Sequence, residues 1–482
     1  MTTPSASRLR LDEPAGRGAL LATVLASGMA FLDSTVVNVA LPHLGADLGA
    51  STAGLQWTVN GYLLTLAAFL LLGGALGDRY GRRRVFLIGV LWFTAASVLS
   101  GLAYGVEWLI AARFLQGAGA ALLTPGSLAL LQASFHPDDR GRAIGAWSGL
   151  AGVSTAVGPF VGGWLIDTLS WRWIFFLNAP LAVVAALAAL RWVPESRRTT
   201  AGPPAPPGVP RRGRPRFDLV GALLGALGLA GLTYALIEAP ERTVFGWSVP
   251  AAALVATLAW VGFVLLERRR GADAMLPPVL FSRRLFTVLN VYTVVVYAAL
   301  GGLTFFLAVH LQNVAGYSAL AAGVALLPLT ILLLVGSPSA GALSGRVGPR
   351  LPLTAGPLLA AAGLLLLRGI GPAAPYWTDV LPGVVLFGFG MTLVVAPLTS
   401  SVLGAVEDRF VGVGSGVNNA AARAGSLLAV AILPLLVDLS GTAYAVPARL
   451  TTAFRSAMLW CAGLMLLAAA LAVLLIRRPP DG

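Results

Sequence analysis

Long apolar runs, each long enough to cross a lipid bilayer, recur along the whole chain. A membrane-spanning helix needs about 20 mostly apolar residues. Of the 482 residues, 57% are hydrophobic and only 11% are charged, whereas charged residues make up about 25% of soluble domains. Because a soluble core cannot bury so much apolar surface, the sequence predicts an all-α polytopic membrane protein with fourteen transmembrane helices. The predicted spans are 18–41, 55–76, 85–104, 108–134, 143–166, 173–193, 217–238, 247–267, 285–311, 319–343, 351–370, 380–404, 413–437 and 454–476.

The positions of the arginines predict the orientation in the membrane. The net charge is +13 and every basic residue other than histidine is arginine. With the N-terminus inside, 26 arginines fall in inner segments and five in outer segments. Cytoplasmic loops carry such an excess. We therefore expect a multi-pass protein of the cell membrane with both termini cytoplasmic. Because the arginines lie at the ends of apolar runs, we expect no nucleic-acid partner, and the absence of lysine suggests a bacterial genome.

The order of apolar and polar segments predicts two six-helix bundles with a two-helix hairpin inserted between them. The segment 194–216 holds seven prolines and six arginines and no apolar run, which indicates a cytoplasmic linker. The predicted divisions are a cytoplasmic tail (1–17), the N-terminal bundle (18–193), the linker (194–216), the inserted hairpin (217–267), a cytoplasmic loop (268–284), the C-terminal bundle (285–476) and a cytoplasmic tail (477–482).

Two loops support a repeat of the six-helix unit. The stretches Gly74–Arg83 and Gly341–Arg350 are identical at six of ten positions, and each follows the second span of its bundle. Parallel repeats of this kind are typical of secondary transporters, in which one half rocks against the other.

A carboxyl group inside the first apolar span is the main candidate for chemistry. Placing an ionised Asp33 there costs about 2.5–3.5 kcal/mol on insertion scales, and desolvation disfavours its charged form. A carboxyl poised between two states can bind a proton or a cationic ligand. The alternative is that Asp33 merely pairs with Arg113, which lies inside the fourth span, or caps a water-filled cavity. For Arg113, the alternative is that its long side chain snorkels to the outer membrane–water interface.

At these residues the sequence resembles the major facilitator superfamily, and more narrowly its fourteen-span drug:proton antiporters of the multidrug exporter type. The stretch from Leu32 to Pro42 resembles that family's first-span signature, and the stretch from Arg113 to Ala121 resembles its fourth-span motif. The resemblance implies the major facilitator fold, proton transfer by Asp33 and Arg113, and no cofactor, since a proton gradient would drive transport.

Two further motifs carry the resemblance, and each has a simpler alternative. The loop after span two matches the superfamily's loop signature, which implies a conformational latch, whereas its arginines alone could serve as anchors at the inner surface. The glycines of span five match the antiporter signature, but they could equally form a helix-packing face. The latch residues are Gly74, Asp78, Arg79, Gly81, Arg82 and Arg83, and the antiporter residues are Gly158, Pro159, Gly162 and Gly163.

Several polar residues within the spans could line a cavity. They are Asn38, Gln116, Asn418, Asn419 and Arg423. Arg423 could balance charge in that cavity or bind an anionic group of a ligand, and the sequence does not decide between these roles.

These features predict a secondary active transporter, most simply a proton-coupled exporter of lipophilic or cationic drugs by alternating access, with a role in antibiotic resistance. The alternative is a dedicated exporter of one endogenous metabolite, antibiotic or lipid. The sequence has no phosphate-binding loop, metal-ligand cluster or nucleophile–base arrangement, so we do not expect an enzyme. The expected partners are a small-molecule substrate, protons and the bilayer, with a functional monomer expected and the oligomeric state left open.

Overall fold

The computed structural model describes residues 9–196, 218–238, 248–271, 274, 276–407 and 410–476, and helix accounts for most of them. The predicted all-α class is thereby confirmed. The helices are α1 (Pro14–Leu48), α2 (Thr52–Tyr80), α3 (Arg82–Gly101), α4 (Val106–Ser134), α5 (Pro137–Thr168), α6 (Trp173–Phe176), α7 (Asn178–Trp192), α8 (Leu219–Glu238), α9 (Val249–Arg270), α10 (Pro278–Ser282), α11 (Arg284–Asn313), α12 (Ala319–Ala325), α13 (Leu327–Val347), α14 (Arg350–Leu367), α15 (Leu381–Gly404), α16 (Val411–Leu436) and α17 (Pro447–Leu475).

Each predicted span overlaps a helix or a broken pair of helices, but not all of them pass as membrane spans. By length and composition, twelve helical segments of the described chain can cross a bilayer, or thirteen if the bent pair Thr52–Leu70 and Leu72–Tyr80 counts as one span. Helix α5 is not among the segments counted. The number fourteen therefore stays a prediction. Of the predicted linker, 197–216 lies outside the described residues, as does the tail 477–482.

The helices of the first half, α1–α7, pack in the same pattern as those of the second half, α11–α17. We call these two sets the N-terminal and C-terminal bundles. Helix α1 packs on α5 and α7, while α11 packs on α16 and α17. Helix α4 packs on α2 and α3, while α15 packs on α13 and α14. The repeat that the two loops predict is thus present in the packing of whole helices.

The two repeated loops also turn in a similar way. Gly81 ends α2 with φ +110°, and Gly348, at the same position of the motif, ends α13 with φ +80°. Positive φ is readily adopted only by glycine. The glycines that begin the two motifs, Gly74 and Gly341, each face a side chain on the helix that packs alongside, Pro125 and Ala396. Sequence identity at these positions therefore reflects a shared backbone geometry.

The two bundles meet along α1–α11 at the centre and along two lateral seams. Helix α2 packs on α16 at one seam, and α5 packs on α12 and α13 at the other. Helices α8 and α9 pack on each other, and α8 also packs on α2 and α16. The pair therefore covers the α2–α16 seam from outside. At its end α8 is fixed by a buried hydrogen bond from the Trp57 indole to Glu238, 2.9 Å long.

Hydrogen bonds join the bundles at the face where α1 ends and α2 begins, which is the outer face in the predicted orientation. Tyr444 Oη donates to the Ala50 carbonyl (2.8 Å), and Gln312 Nε2 donates to the Val39 carbonyl (2.9 Å). The Asp167 carboxylate accepts the first two backbone N–H groups of α12 (3.1 and 2.9 Å). Burial raises the pKa of the Tyr444 phenol, so this group stays a donor at physiological pH. Among the described residues, the hydrogen bonds between the bundles lie in this outer half.

Candidate functional site

Asp33 lies at the centre of a fully buried network that joins α1, α2 and α4. Arg113 Nη1 donates to Asp33 Oδ2 (2.5 Å), and Gln116 Nε2 donates to Asp33 Oδ1 (2.8 Å). Arg113 also donates to Gln116 Oε1 (2.7 Å) and, through Nε, to the Thr58 carbonyl (3.0 Å). Both oxygens of the carboxylate are thus held by α4. In this conformation Asp33 is paired with Arg113, which is one of the alternatives that the sequence left open.

Close approach of the helices makes this network possible. Arg113 and Gln116 are three residues apart, so they lie on one face of α4. On the same helix Gly117 faces α2, where a Cβ atom would clash with the Tyr62 backbone and the Thr65 side chain. Small residues allow membrane helices to approach in this way. The glycine therefore brings α4 close enough for Arg113 to reach the Thr58 carbonyl on α2.

The surroundings offset the cost of burying two charges. The Arg113 guanidinium lies 4.4 Å from the Tyr62 ring centroid, within the range of a cation–π contact. The Tyr62 hydroxyl donates to the Ala30 carbonyl (3.1 Å), which holds the ring against α1. A buried ion pair is tolerated only when its remaining donors and acceptors are satisfied. Sequence reasoning identified Asp33, Arg113 and Gln116 but assigned no role to Thr58 or Tyr62, because only packing brings them to the arginine.

The predicted latch residues surround the tight turn between α2 and α3. Arg82 donates to Asp78 Oδ1 through Nε and Nη2 (2.9 and 2.8 Å). Arg83 donates to the Val193 carbonyl (3.1 Å), and Arg79 lies over the neighbouring Tyr80 ring at 5.5 Å. Gly81 makes the turn itself, and Gly77 faces Arg82. The structure therefore brings the predicted residues together within the N-terminal bundle.

Glu195 completes this turn and was not identified from the sequence. Its two carboxylate oxygens accept the backbone N–H groups of Arg83 (3.1 Å) and Arg84 (3.2 Å), at the start of α3. The Ser196 carbonyl also accepts the Arg82 N–H (2.9 Å). A carboxylate at a helix N-terminus satisfies free N–H groups and interacts favourably with the helix dipole. The only sequence signal was an acidic residue at the start of an otherwise basic linker.

The predicted antiporter glycines all lie in the outer half of α5, where they are packed. A Cβ atom on Gly158 or Gly162 would clash with Thr35 or Val36 of α1. One on Gly163 would meet the backbone of α12, and Gly323 of α12 meets the Pro159 carbonyl in return. Nearer the start of α5 the environment differs, since nothing lies within 4 Å of a Cβ on Gly141, Gly145 or Gly149. The glycines at the end of α5 are therefore packed, while those near its start face open space.

The predicted cavity residues do not form one group. Gln116 belongs to the buried Asp33 network, whereas Asn38 lies on a partly exposed face of α1 with Phe31 and Ser34. Asn418 donates to Thr293 (2.7 Å) and, with Asn419, lines a cavity of about 110 Å³ within the C-terminal bundle. Arg423 lies one turn further along α16, 6.0 Å from the Phe31 ring across the bundle interface.

Comparison with known sequences shows a match over almost the whole chain. The sequence profile of the Major Facilitator Superfamily matches residues 23–430 and 293–482. The puromycin resistance protein pur8 of Streptomyces alboniger is 38% identical over 86% of this chain and 80% of its own length. The probable actinorhodin transporter of Streptomyces coelicolor is 37% identical over 88% and 72%. The multidrug resistance protein Stp of Mycobacterium tuberculosis is 36% identical over 86% and 74%.

Solved structures of transporters share the fold at low sequence identity. A bacterial homologue of the human lysosomal transporter Spinster, in an inward-facing and unoccupied conformation, superposes with a TM-score of 0.66 at 18% identity. The match covers 98% of this chain and 100% of that one. A POT family transporter in complex with 5-aminolevulinic acid gives a TM-score of 0.70 at 13% identity, with 98% of both chains covered.

Proposed function

The chain belongs to the major facilitator superfamily, and from that premise we propose that it is a proton-coupled exporter of lipophilic antibiotics or other toxic compounds. It is a transporter and not an enzyme. The relatives named for puromycin, for actinorhodin and for multidrug resistance support export of drug-like molecules. No metabolic cofactor enters the proposal, because a proton gradient across the cell membrane supplies the free energy.

The observation that carries the proton coupling is the buried Asp33 network. Asp33 has no exposed surface, and both of its oxygens accept hydrogen bonds from α4. A proton that reaches Asp33 removes its charge and weakens the bond to Arg113, because the ion pair becomes a hydrogen bond from the Arg113 cation to a neutral carboxyl group. Protonation therefore changes how tightly α1 is held to α4. We propose that this change links proton entry to the movement of the bundles.

The packing of α5 suggests the direction of that movement. In this conformation the bundles are joined by hydrogen bonds at the predicted outer face, and the first half of α5 leaves its glycines uncovered. We propose that the compound enters from the cytoplasm in this state. Rocking of the bundles would then break the outer hydrogen bonds and cover the open glycines, and the compound would leave on the other side.

The proposal places the whole chain as a fourteen-span monomer in a bacterial cell membrane, with both termini cytoplasmic. Helices α8 and α9 would be an inserted hairpin that seals the α2–α16 seam towards the lipid. In support, α9 packs on α8, and its leucines Leu254, Leu258 and Leu265 are more than half exposed. A helix with so much exposed apolar surface is stable only when hydrocarbon covers it.

A second candidate is a dedicated exporter of a single compound made by the same cell. Relatives named as the tetracenomycin C resistance and export protein and the cephamycin export protein favour it, at 36% and 37% identity. The same machinery would serve both functions, and only the cavity residues would differ. A transport screen that finds one strongly preferred compound would decide for this candidate.

The test is substrate-driven proton movement in proteoliposomes that hold the full chain and a pH-sensitive dye. Puromycin and tetracenomycin C are the first probes. We expect a probe to drive proton flux with the unmodified protein, and Asp33→Asn to abolish this flux. Asp47→Asn is the matched control, because this acid lies on the same helix but is partly exposed and paired with Arg172. Proton flux that survives in Asp33→Asn would overturn the coupling assignment.

A further inference from the structure

Arg423 lies at the interface between the bundles, and no acid among the described residues is within salt-bridge distance of it. The Arg423 side chain is partly exposed. Among the described residues, its guanidinium contacts the ring of Phe31. No hydrogen bond or ion pair joins it to another described residue. Asp33, a buried acid of α1, already has both oxygens occupied by Arg113 and Gln116. Within the described residues, the charge of Arg423 is therefore not paired with an acid.

The residues around Arg423 can hold the rest of a ligand. One turn away along α16 lies the cavity of about 110 Å³, which is lined by hydroxyl and amide groups. These groups belong to Tyr297, Thr399, Ser415, Asn418 and Asn419. Hydroxyl and amide groups can donate hydrogen bonds to oxygen atoms, while Phe31 offers an aromatic face.

We propose that Arg423 binds an ionised acidic group of the exported compound, so that the transporter selects lipophilic acids with an aromatic or planar body. This inference rests on the proposed function and names its substrate class. A charge-balancing role would need an acidic neighbour, and the described residues offer none. A planar guanidinium also matches a carboxylate in a two-pronged hydrogen-bonding geometry. The sequence left the two roles of Arg423 open, and the occupied Asp33 favours the binding role.

The negative charge of the proposed substrate affects the driving force for its export. An anion that moves outward and a proton that moves inward carry charge in the same sense. The membrane potential then drives both movements, because the interior of a cell is negative. Export of an acid is therefore expected to respond to membrane potential more strongly than export of a neutral compound of the same shape.

Binding of a matched pair of probes to the purified full chain in lipid nanodiscs tests the inference. The probes are 2-naphthoate and 2-naphthamide, which share a ring system and differ in charge. We expect the unmodified protein to bind 2-naphthoate at least about tenfold more tightly. Arg423→Gln should remove this preference while 2-naphthamide binding stays within about twofold. Arg423→Lys should keep part of the preference, because the charge remains but the planar fork is lost.

Arg449→Gln is the matched control, since it removes an exposed arginine outside the bundle interface. It should leave the preference for 2-naphthoate unchanged. Equal binding of both probes by the unmodified protein would overturn the inference, as would a preference that survives in Arg423→Gln. So would an equal loss of both probes in a well-folded Arg423→Gln. If one of these results overturns the inference while a probe still drives proton flux through Asp33, only the substrate class is wrong and the proposed function stands.

Discussion

At the scale of single residues, the site depends on two buried, opposite charges that stabilise each other in an apolar environment. Asp33 and Arg113 are buried to 0% and 1% exposure, respectively. Breaking such a pair by removing one partner costs about 3–5 kcal/mol, because the other charge is left uncompensated. A proton on Asp33 would remove one of the two charges reversibly. The Arg113 cation would then keep its hydrogen bonds to the Thr58 carbonyl and Gln116 and its contact with the Tyr62 ring.

We predict that Arg113→Ala destabilises the protein by about 3–5 kcal/mol, because the Asp33 carboxylate is then buried without its counter-ion. Arg172→Ala is the matched control, since Arg172 pairs with Asp47 at the surface with both side chains partly exposed. Exposed pairs contribute about 0–1 kcal/mol. Thermal unfolding in detergent, followed by tryptophan fluorescence, measures both variants. Similar losses in the two variants would show that the Asp33 pair has no special energetic role.

At the scale of helices, α5 has packed glycines in its outer half and glycines that face open space nearer its start. Gly162 touches Val36 of α1, so a side chain there has no space. Gly149 lies where nothing approaches in this conformation. The open part is the surface that a rocking movement would cover.

We predict that Gly162→Ala destabilises this conformation by about 1–3 kcal/mol, because the added methyl overlaps Val36 in a tightly packed contact. Gly149→Ala should leave unfolding unchanged or raise stability slightly, since alanine favours helix over glycine by about 1 kcal/mol. Both substitutions add one methyl group to the same helix, so they control for each other. Thermal unfolding checks the comparison, and a larger loss in Gly149→Ala would contradict the assignment of the packed face.

The start of α3 is an element completed by a residue that is distant in sequence. We predict that Glu195→Ala weakens the first turn of α3 by about 0.5–2 kcal/mol, because Arg83 and Arg84 lose the acceptor of their N–H groups. Hydrogen–deuterium exchange of residues 82–88 should accelerate by roughly 2- to 30-fold at that cost. Glu13→Ala is the control, since Glu13 precedes α1 and its side chain makes no capping hydrogen bond there. Unchanged exchange in Glu195→Ala would exclude the capping role.

At the scale of the whole molecule, two similar bundles are joined by a small set of hydrogen bonds at one face. The bond from Tyr444 to Ala50 crosses between bundles, whereas the bond from Tyr317 to Ala374 (3.0 Å) stays within the C-terminal bundle. A net hydrogen bond contributes about 0.5–1.5 kcal/mol. Only bonds that cross between bundles bias the equilibrium between closed and open outer faces.

We predict that Tyr444→Phe shifts the equilibrium towards an open outer face by about 0.5–1.5 kcal/mol, a change of roughly 2- to 13-fold in the population ratio. Tyr317→Phe should leave that ratio unchanged, although it removes a similar bond. Spin labels at Leu169 and Val446, both exposed and in different bundles near this face, report the distance distribution. An equal shift in the two variants would mean that the outer bonds do not control the conformation.

Much of the fold followed from sequence because the bilayer imposes strong rules. Apolar length predicted where helices lie, and a helix overlaps each of the fourteen predicted spans, although twelve or thirteen segments of the described chain pass as spans. The repeated loops predicted the repeat that the packing of α1–α7 and α11–α17 shows. Orientation and the insertion of the hairpin remain predictions. Local chemistry was sufficient for these inferences, because each depends on residues that are neighbours in the chain.

The sequence by itself determined that Asp33 and Arg113 are ionisable groups inside apolar helices, because the length of an apolar run and the charges within it can be read from consecutive residues. Only the tertiary structure decided that Arg113 and Gln116 occupy both oxygens of Asp33, that Glu195 caps α3, and that Arg423 lies beside Phe31 with no acidic partner among the described residues. The physical reason is distance. Hydrogen bonds and ion pairs act over a few ångströms, and residues 80 or 112 positions apart reach that range only when helices pack.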